Sequence, residues 1–572
     1  MTFLRRYLRY YWGWLALGLA LGAGAVAATL YVPVLIGRAV DCMTAGGVDM
    51  AAVGRYLVLI GAFSLVAAVC QWCAKACYNR ATYLIAYRMR VDLIAKLQRL
   101  PLSYLDSRPV GQTLGRVIAD VDTVTDGLLL GISQLFGGVL TILGTLTILY
   151  ILHWVVATVV LVVTPMSLLV SRAIARHTHD RFAATARIRA EQTAVVEECV
   201  SRQKTIRAFS AEGIMQGRFD AVNDHLAEEN RRAVFYSSLT NPCTRFVNAI
   251  VYALVAAVGA ISVAGILPIG TAMTVGTLSV LLSYANQYTK PFNEISGVIT
   301  ELQNAVVCLS RVQSLADAPE EVDDGTADLP PAASHVRMQD VAFRYVPDKP
   351  LLRDISLDVP QGTRVAVVGT TGCGKTTLIN LLMRFYEVDE GTVTVDGVDI
   401  RTLPRQRLRR AFGMVLQDTW IRHASVLDNL RLGAPSATRE QVAEAARLTH
   451  AHSFIERLPQ GYDTVVADDG SLSQGQMQLL CVTRVLLTHP NMLILDEATS
   501  NIDIRTEQAV NRAFDVLMQG KTSIVVAHRL STVRNADCIL VMQDGRILER
   551  GTHDSLMAAG GLYYHLYTGR NP

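Results

Sequence analysis

Four stretches in the first half of the chain contain no Asp, Glu, Lys or Arg: residues 10–37, 56–74, 127–171 and 246–289. The last two run for 45 and 44 residues, interrupted by His153 and Trp154 in one and by GILPIG (265–270) in the other. A bilayer core takes about 20 apolar residues of helix, so each of these two predicts a pair of helices joined by a tight turn. The pattern therefore predicts six spans, at about 12–37, 55–76, 127–152, 154–174, 245–265 and 270–290. The first run is longer than the roughly 7–15-residue apolar core of a signal peptide, which predicts that it stays in the mature chain.

Segments 75–126 and 172–245 carry a different pattern. Apolar and charged positions alternate at helical spacing in RMRVDLIAKLQRL (88–100) and ARIRAEQTAVVEECV (186–200), which predicts amphipathic helices projecting beyond the membrane. Both segments are rich in Lys and Arg. Arg5, Arg6 and Arg9 precede the first span, beside Tyr7, Tyr10, Tyr11, Trp12 and Trp14. The positive-inside rule therefore expects the N-terminus and both long segments in the cytoplasm, with the aromatics at the interface. Six spans bring the C-terminus to the same side. Arg245, Asn248, Tyr252, Tyr284, Asn286, Gln287, Lys290 and Glu294 lie in or near spans five and six. Polar groups there are candidates for a transport pathway, or for caps at the cytoplasmic boundary.

The pattern changes after LADAPEEVDDGTADLPPAASH (315–335), an acidic, proline-containing stretch that reads as a linker. It divides the chain into a membrane domain (1–315), a linker (316–335) and a soluble domain (336–572). GTRVAVVGTTGCGKTTLINLLMRF predicts a strand, a glycine loop and a helix, and fits G-x-x-x-x-G-K-[ST] at Gly369, Gly374, Lys375 and Thr376. Gly369, Thr370, Thr371, Gly372, Cys373, Gly374, Lys375, Thr376 and Thr377 are thereby candidates for a phosphate cradle. Glycines let the backbone wrap phosphate oxygens, Lys375 brings a point charge to them, and the Thr376 hydroxyl suits Mg²⁺.

Two more strands end in polar groups. NMLILDEATS (491–500) ends in adjacent acids; Asp496 is placed to hold Mg²⁺ through water, and Glu497 to act on an attacking water as general base. IVVAHRL (524–530) ends at His528, a candidate sensor of the γ-phosphate. SLSQGQMQLL (471–480) is a second serine and glycine turn running into a helix, which suits a second phosphate.

Composition narrows the class. The 572 residues are 51% hydrophobic and 18% charged, with mean hydropathy +0.29. Soluble domains carry about 25% charged residues, so a large part of this chain is out of water. A net charge of +3 is too small to make nucleic acid a partner by default. Ten scattered cysteines form no disulfide framework.

Six spans with long cytoplasmic helices, followed by this soluble domain, resemble an ATP-binding cassette half-transporter of the exporter fold. The resemblance covers essentially the whole chain. It implies an all-α membrane domain followed by an α/β P-loop NTPase domain. Tyr345 in VAFRYV matches the aromatic that stacks on adenine, and Gln417 in GMVLQD matches the Q-loop glutamine that contacts Mg²⁺ and water. LSQGQ (472–476) matches the family signature through Ser473, Gly475 and Gln476, and SNID (500–503) the D-loop through Asp503. On this resemblance Glu497, His528 and Gln417 are the catalytic set, and Thr376, Gln417 and Asp496 the Mg²⁺ set. Segments 102–122 and 201–213 resemble the intracellular loops whose coupling helices dock on the ATPase domains.

The family also implies a partner. Two ATPase domains meet head to tail, so the P-loop of one chain and the signature of the other hold the same ATP. The helix N-terminus beginning near Gln476 would face the partner's nucleotide. A second half-transporter chain, identical or related, is expected, with the bilayer and a transported substrate. One departure is local: Gly470 and Leu472 are separated only by Ser471, where relatives usually have two residues. The expected activity is ATP-driven export of hydrophobic or amphipathic small molecules, lipids or peptides, by alternating access in a bacterial inner membrane. Import of a chelate such as a siderophore is the alternative within the fold. A non-transporting cassette ATPase is the alternative from another class, and the six spans oppose it.

Overall fold

A computed structural model describes residues 2–44, 49–264, 273–416, 419–467, 471–496, 504–526 and 533–569. They divide into two compact units, Met1–Gln98 with Pro109–Ala318, and Arg99–Arg108 with Pro319–Pro572.

The first unit is helical throughout. Four of its helical stretches are long and apolar enough to cross a membrane among the described residues: Trp12–Met43, Met50–Leu97, Val110–Leu152 and Glu212–Val263. Predicted spans one, two, three and five fall on these. The fourth is divided between the apolar helix Trp154–Val163 and the long helix Pro165–Ser201. The sixth lies mainly on Val275–Ala316, where Tyr284, Asn286, Gln287 and Lys290 dilute the apolar character. The most apolar window of Met50–Leu97 is only 11% buried by protein. An apolar surface that large is covered by lipid in a protein that lasts.

Small residues let these helices approach. Hydrocarbon gives no hydrophobic drive between helices, so close backbone packing and buried polar contacts take its place. A Cβ on Gly276 would sit 2.1 Å from the Gly37 carbonyl oxygen, so only glycine permits that crossing. Beside it the Asp41 carboxylate accepts from the Gly276 N–H (2.8 Å) and the Thr274 hydroxyl (2.9 Å). Asp41 thus satisfies a donor at the start of helix Val275–Ala316, which would otherwise be orphaned. Tyr284 is fully buried and its hydroxyl donates to the Leu30 carbonyl. That makes Tyr284 a packing residue in this state, although its polarity in span six marks it as a pathway candidate.

The second unit is α/β. Its strands are β1 (Val336–Phe343), β2 (Leu352–Val359), β3 (Arg364–Gly369), β4 (Glu390–Val395), β5 (Val398–Asp399) and β6 (Phe412–Val415). They continue with β7 (Ala424–Ser425), β8 (Val465–Val466), β9 (Met492–Asp496), β10 (Thr522–Val526), β11 (Cys538–Gln543) and β12 (Arg546–Gly551). The central sheet runs β12-β11-β3-β10-β9-β6, parallel except for β12. Every residue of β9 and β10 is buried, as expected for strands covered on both faces. A second, antiparallel sheet runs β2-β1-β4-β5.

The linker is part of this unit. Arg405, 9% exposed, reaches Glu387 (2.6 Å) and the linker's Glu321 (3.2 Å), and its N–H donates to Asp323 (2.8 Å). The Glu321 N–H donates to the Arg99 carbonyl at 2.9 Å. Arg99–Arg108 groups with the nucleotide-domain residues.

Candidate functional site

Open parallel sheets place ligands outside the carboxyl ends of their strands, and the P-loop after β3 and Asp496 at the end of β9 lie at that edge. β3 ends at Gly369, the loop follows, and helix Lys375–Leu382 begins at once. The loop can turn so tightly because Gly372 and Gly374 take φ of 84° and 102°. At Gly369 a Cβ would stand 2.2 Å from the Met542 carbonyl oxygen of neighbouring β11. Lys375 is buried, and its ammonium donates to the Gly369 (2.9 Å) and Thr370 (3.0 Å) carbonyls. The charge is thus held inside the loop that would wrap the phosphates. Thr370, Thr371 and Thr376 are exposed, Cys373 and Thr377 buried.

Asp496 ends β9 and is 4% exposed. Register pairs it with Val526 of β10, which neighbours β3. Two strand spacings put the end of β9 on the order of 10 Å from the P-loop strand. Gln417, Glu497, Asp503 and His528 lie outside the described residues. The strands leading to three of them stop just before them, at Val415, Asp496 and Val526, side by side in the sheet.

Tyr345, 46% exposed, sits in a three-ring cluster with Phe343 and Tyr386, edge-on at centroid distances of 4.8 and 4.9 Å. Its hydroxyl donates to Thr377 Oγ1 (3.3 Å) and accepts from the Asn380 amide (3.2 Å). The ring is therefore anchored to the helix that follows the P-loop.

The signature helix starts earlier than expected. It spans Gln474–Leu486, with Ser473 as N-cap. Ser473 Oγ accepts from the Gln476 N–H (3.3 Å), and Gln476 Oε1 accepts from the Ser473 N–H (2.9 Å). This reciprocal pair is a capping box, and it engages each of the two side chains with the other residue's backbone N–H. The helix N–H groups it does not use are those of Gln474 and Gly475. Gly470 of the shortened segment lies outside the described residues; Leu472 is buried and the Ser471 hydroxyl donates to the Ala467 carbonyl (3.3 Å).

One residue escaped the sequence reading. Tyr386 touches Tyr345 and donates its hydroxyl to the Asp106 carboxylate at 2.5 Å. Burial, then the bond to Asp106, push its phenol well above the usual range, so it stays a donor at any physiological pH. Its only signal is an aromatic just past the P-loop helix; the partner lies 280 residues away.

Comparison with known proteins decides the family. A model described as ABC transporter transmembrane region matches residues 15–292, and one described as ABC transporter matches residues 352–500. The chain is 40% identical over 521 residues to a fatty acid ABC transporter ATP-binding/permease protein of Mycobacterium tuberculosis, covering 91% of this chain and 82% of that one. The chain belongs to the ABC transporter family. An ATP-dependent lipid A-core flippase of Chromohalobacter salexigens is 33% identical over 489 residues, 84% of this chain and 83% of the flippase. A solved bacterial Atm1-family ABC exporter with ATP bound shares the fold at TM-score 0.78 and 28% identity, over 99% of both chains. This ABC transporter is therefore a multi-pass membrane protein of the exporter fold, with an ATPase domain that binds ATP and couples its hydrolysis to transport.

Proposed function

We propose that this ABC transporter acts as one half of a dimer that exports lipid-like amphiphiles, fatty acids or acylated lipids above all, in a bacterial plasma membrane with both termini cytoplasmic. The observation that carries the substrate class is the 40% identity to a fatty acid transporter across 91% of the chain, with the lipid A-core flippase as a second relative of similar chemistry. The membrane domain crosses six times in this reading. Importing a chelate finds no support among these relatives.

In the nucleotide site, Lys375 exchanges the Gly369 and Thr370 carbonyls for phosphate oxygens, and the loop N–H groups wrap the rest. Tyr345 offers a half-exposed ring for the base. Thr376 supplies a hydroxyl and Asp496 a buried carboxylate, an all-oxygen set that suits Mg²⁺. Bound there, Mg²⁺ supplies charge neutralisation. Gln417 joins that set and orients water, Glu497 takes the water's proton, and His528 holds the γ-phosphate. Ser473, Gly475, Gln476 and Asp503 act on the nucleotide of the partner chain, with the Gln474 and Gly475 N–H groups as anion donors.

Reconstituted vesicles test the substrate class. ATPase activity should rise with long-chain fatty acids or acylated lipids, and labelled fatty acid should leave the side carrying the ATPase domain. ATP-driven movement of a chelate toward that side, with no response to acyl chains, would overturn the proposal.

A further inference from the structure

We propose that the ATPase unit carries a further ligand site, for a small phosphate monoester, at the edge of the central sheet opposite the P-loop. β10 runs parallel to β3 on one side and to β9 on the other, so the amino ends of the three strands lie together. Three chain reversals lead into those ends. Before β3 the Thr363 N–H turns back to the Pro360 carbonyl (3.2 Å). His489, at φ 47°, follows the signature helix and leads through Pro490 into β9. Gly520, at φ 69°, follows helix Ile504–Met518 and leads into β10. These reversals, with linker residues Ala332 and Ser334, line a cavity of about 300 Å³, at the lower end of small-molecule sites. β10 has five residues, which puts the cavity on the order of 15 Å from the strand ends that face the nucleotide.

The charge in this cavity is one-sided. Lys521 and His489 line it, together with Gln361, Asn491 and Gln519, and among the described residues no Asp or Glu does. Lys521 is partly buried, and among the described residues its ammonium has no hydrogen-bond or ion-pair partner. Burial pushes that ammonium below the usual lysine range, and no charged neighbour offsets the effect. A desolvated cation without a partner is unfavourable, and a bound anion relieves it. The Asp396 carboxylate accepts from the Ser334 and His335 N–H groups (3.0 and 3.1 Å) and does not line the cavity. The walls are tied to one another. The Gly362 N–H donates to the Thr522 hydroxyl (2.9 Å), the Asn491 amide to the Pro331 carbonyl (2.9 Å), and the Ser523 N–H to the Thr363 carbonyl (2.9 Å). A cavity already held in shape spares its ligand the cost of ordering it. Phosphate suits a lysine beside a histidine. The remaining room and the amide-bearing walls suit the polar body of an ester, which a free phosphate ion would leave to water.

Equilibrium dialysis of labelled glycerol 3-phosphate against the full-length protein tests this, with a non-hydrolysable ATP analogue at saturation so that the P-loop is occupied. The wild type should bind one molecule per chain. Lys521→Gln keeps a polar side chain and removes the charge. It should weaken the ester by about tenfold or more, the usual weight of a hydrogen bond to a charged group. Its affinity for the ATP analogue should stay within about twofold of wild type, because the P-loop lies at the other edge of the sheet. Ala332→Glu leaves Lys521 in place and brings a competing carboxylate to the cavity. It should weaken the ester as much, so a fault in one variant does not decide the matter. Unlabelled inorganic phosphate should displace the ester only at higher concentration, and glycerol not at all. No bound ester in the wild type, or wild-type binding in both variants, overturns the site. Displacement by inorganic phosphate at equal concentration overturns the assignment to an ester, and displacement by glycerol the assignment to a phosphate. Dioctanoyl phosphatidic acid carries the same monoester on a lipid; displacement by it at lower concentration than by glycerol 3-phosphate makes the ligand a headgroup and overturns the soluble ester.

Discussion

Glu497 follows Asp496 by one peptide bond, yet the two carboxylates are assigned different work. Asp496 is buried at the end of a fully buried strand, which suits a fixed ligand of an ion. Glu497 is the next residue in the sequence, and the work assigned to it is on the attacking water. If Glu497 is the base, replacing it by Gln keeps the side chain's size, leaves the P-loop and Asp496 in place, and removes only the proton acceptor. ATP binding should persist while phosphate release falls at least ~100-fold, the usual contribution of a general base. Release at more than about a tenth of the wild-type rate would assign the proton transfer elsewhere. Asp496→Asn should behave differently, weakening the magnesium dependence of binding as well as turnover.

The linker shows what a segment contributes when its sequence reads only as a spacer. Arg405 is buried between the linker's Glu321 and Asp323 on one side and Glu387 on the other, and Arg384 shares the same Glu387 oxygen at 2.8 Å. Breaking a buried ion pair costs about 3–5 kcal/mol; with Glu387 46% exposed, solvent screening brings that to roughly 2 kcal/mol here. Arg405→Met should lower the melting temperature of the ATPase unit by several degrees and open 319–331 to protease. Equal melting and equal cleavage would mean the network is surface decoration. This cluster was not legible in the sequence, because its members are spread over 84 positions and composition alone calls 315–335 a linker. The strand, glycine loop and helix around Lys375 were legible because each follows from neighbouring residues. The true start of the signature helix was also legible: Ser473 and Gln476 have capping-box spacing, which sets the cap at Ser473 rather than near Gln476. The Tyr386–Asp106 bond was not, since nothing local distinguishes either residue.

Two phosphate nests in one chain make sense only if they serve different nucleotides or the same one from opposite sides. In the proposed reading the P-loop satisfies the phosphates of its own ATP through Lys375 and the loop backbone. The capped helix at Ser473 is then left with N–H groups at Gln474 and Gly475 and a positive helix end, a site that a second chain's γ-phosphate would fill. Mixed dimers of two tagged chains test this. One chain carries Lys375→Ala, which removes the charge on the phosphates; the other carries Ser473→Arg, which fills the nest and removes the cap. Both also carry Glu497→Gln, so that bound ATP is trapped rather than hydrolysed. If the two nests share a nucleotide across the interface, both lesions fall on one composite site and the other stays intact. If each chain completes its own site, both sites are broken. Dimers with either single lesion in both chains confirm assembly, and dimers with both lesions in each chain set the zero. Trapping of one ATP per mixed dimer supports the shared site. A mixed dimer that assembles and traps none rules it out, and with it the need for a second chain at the nucleotide.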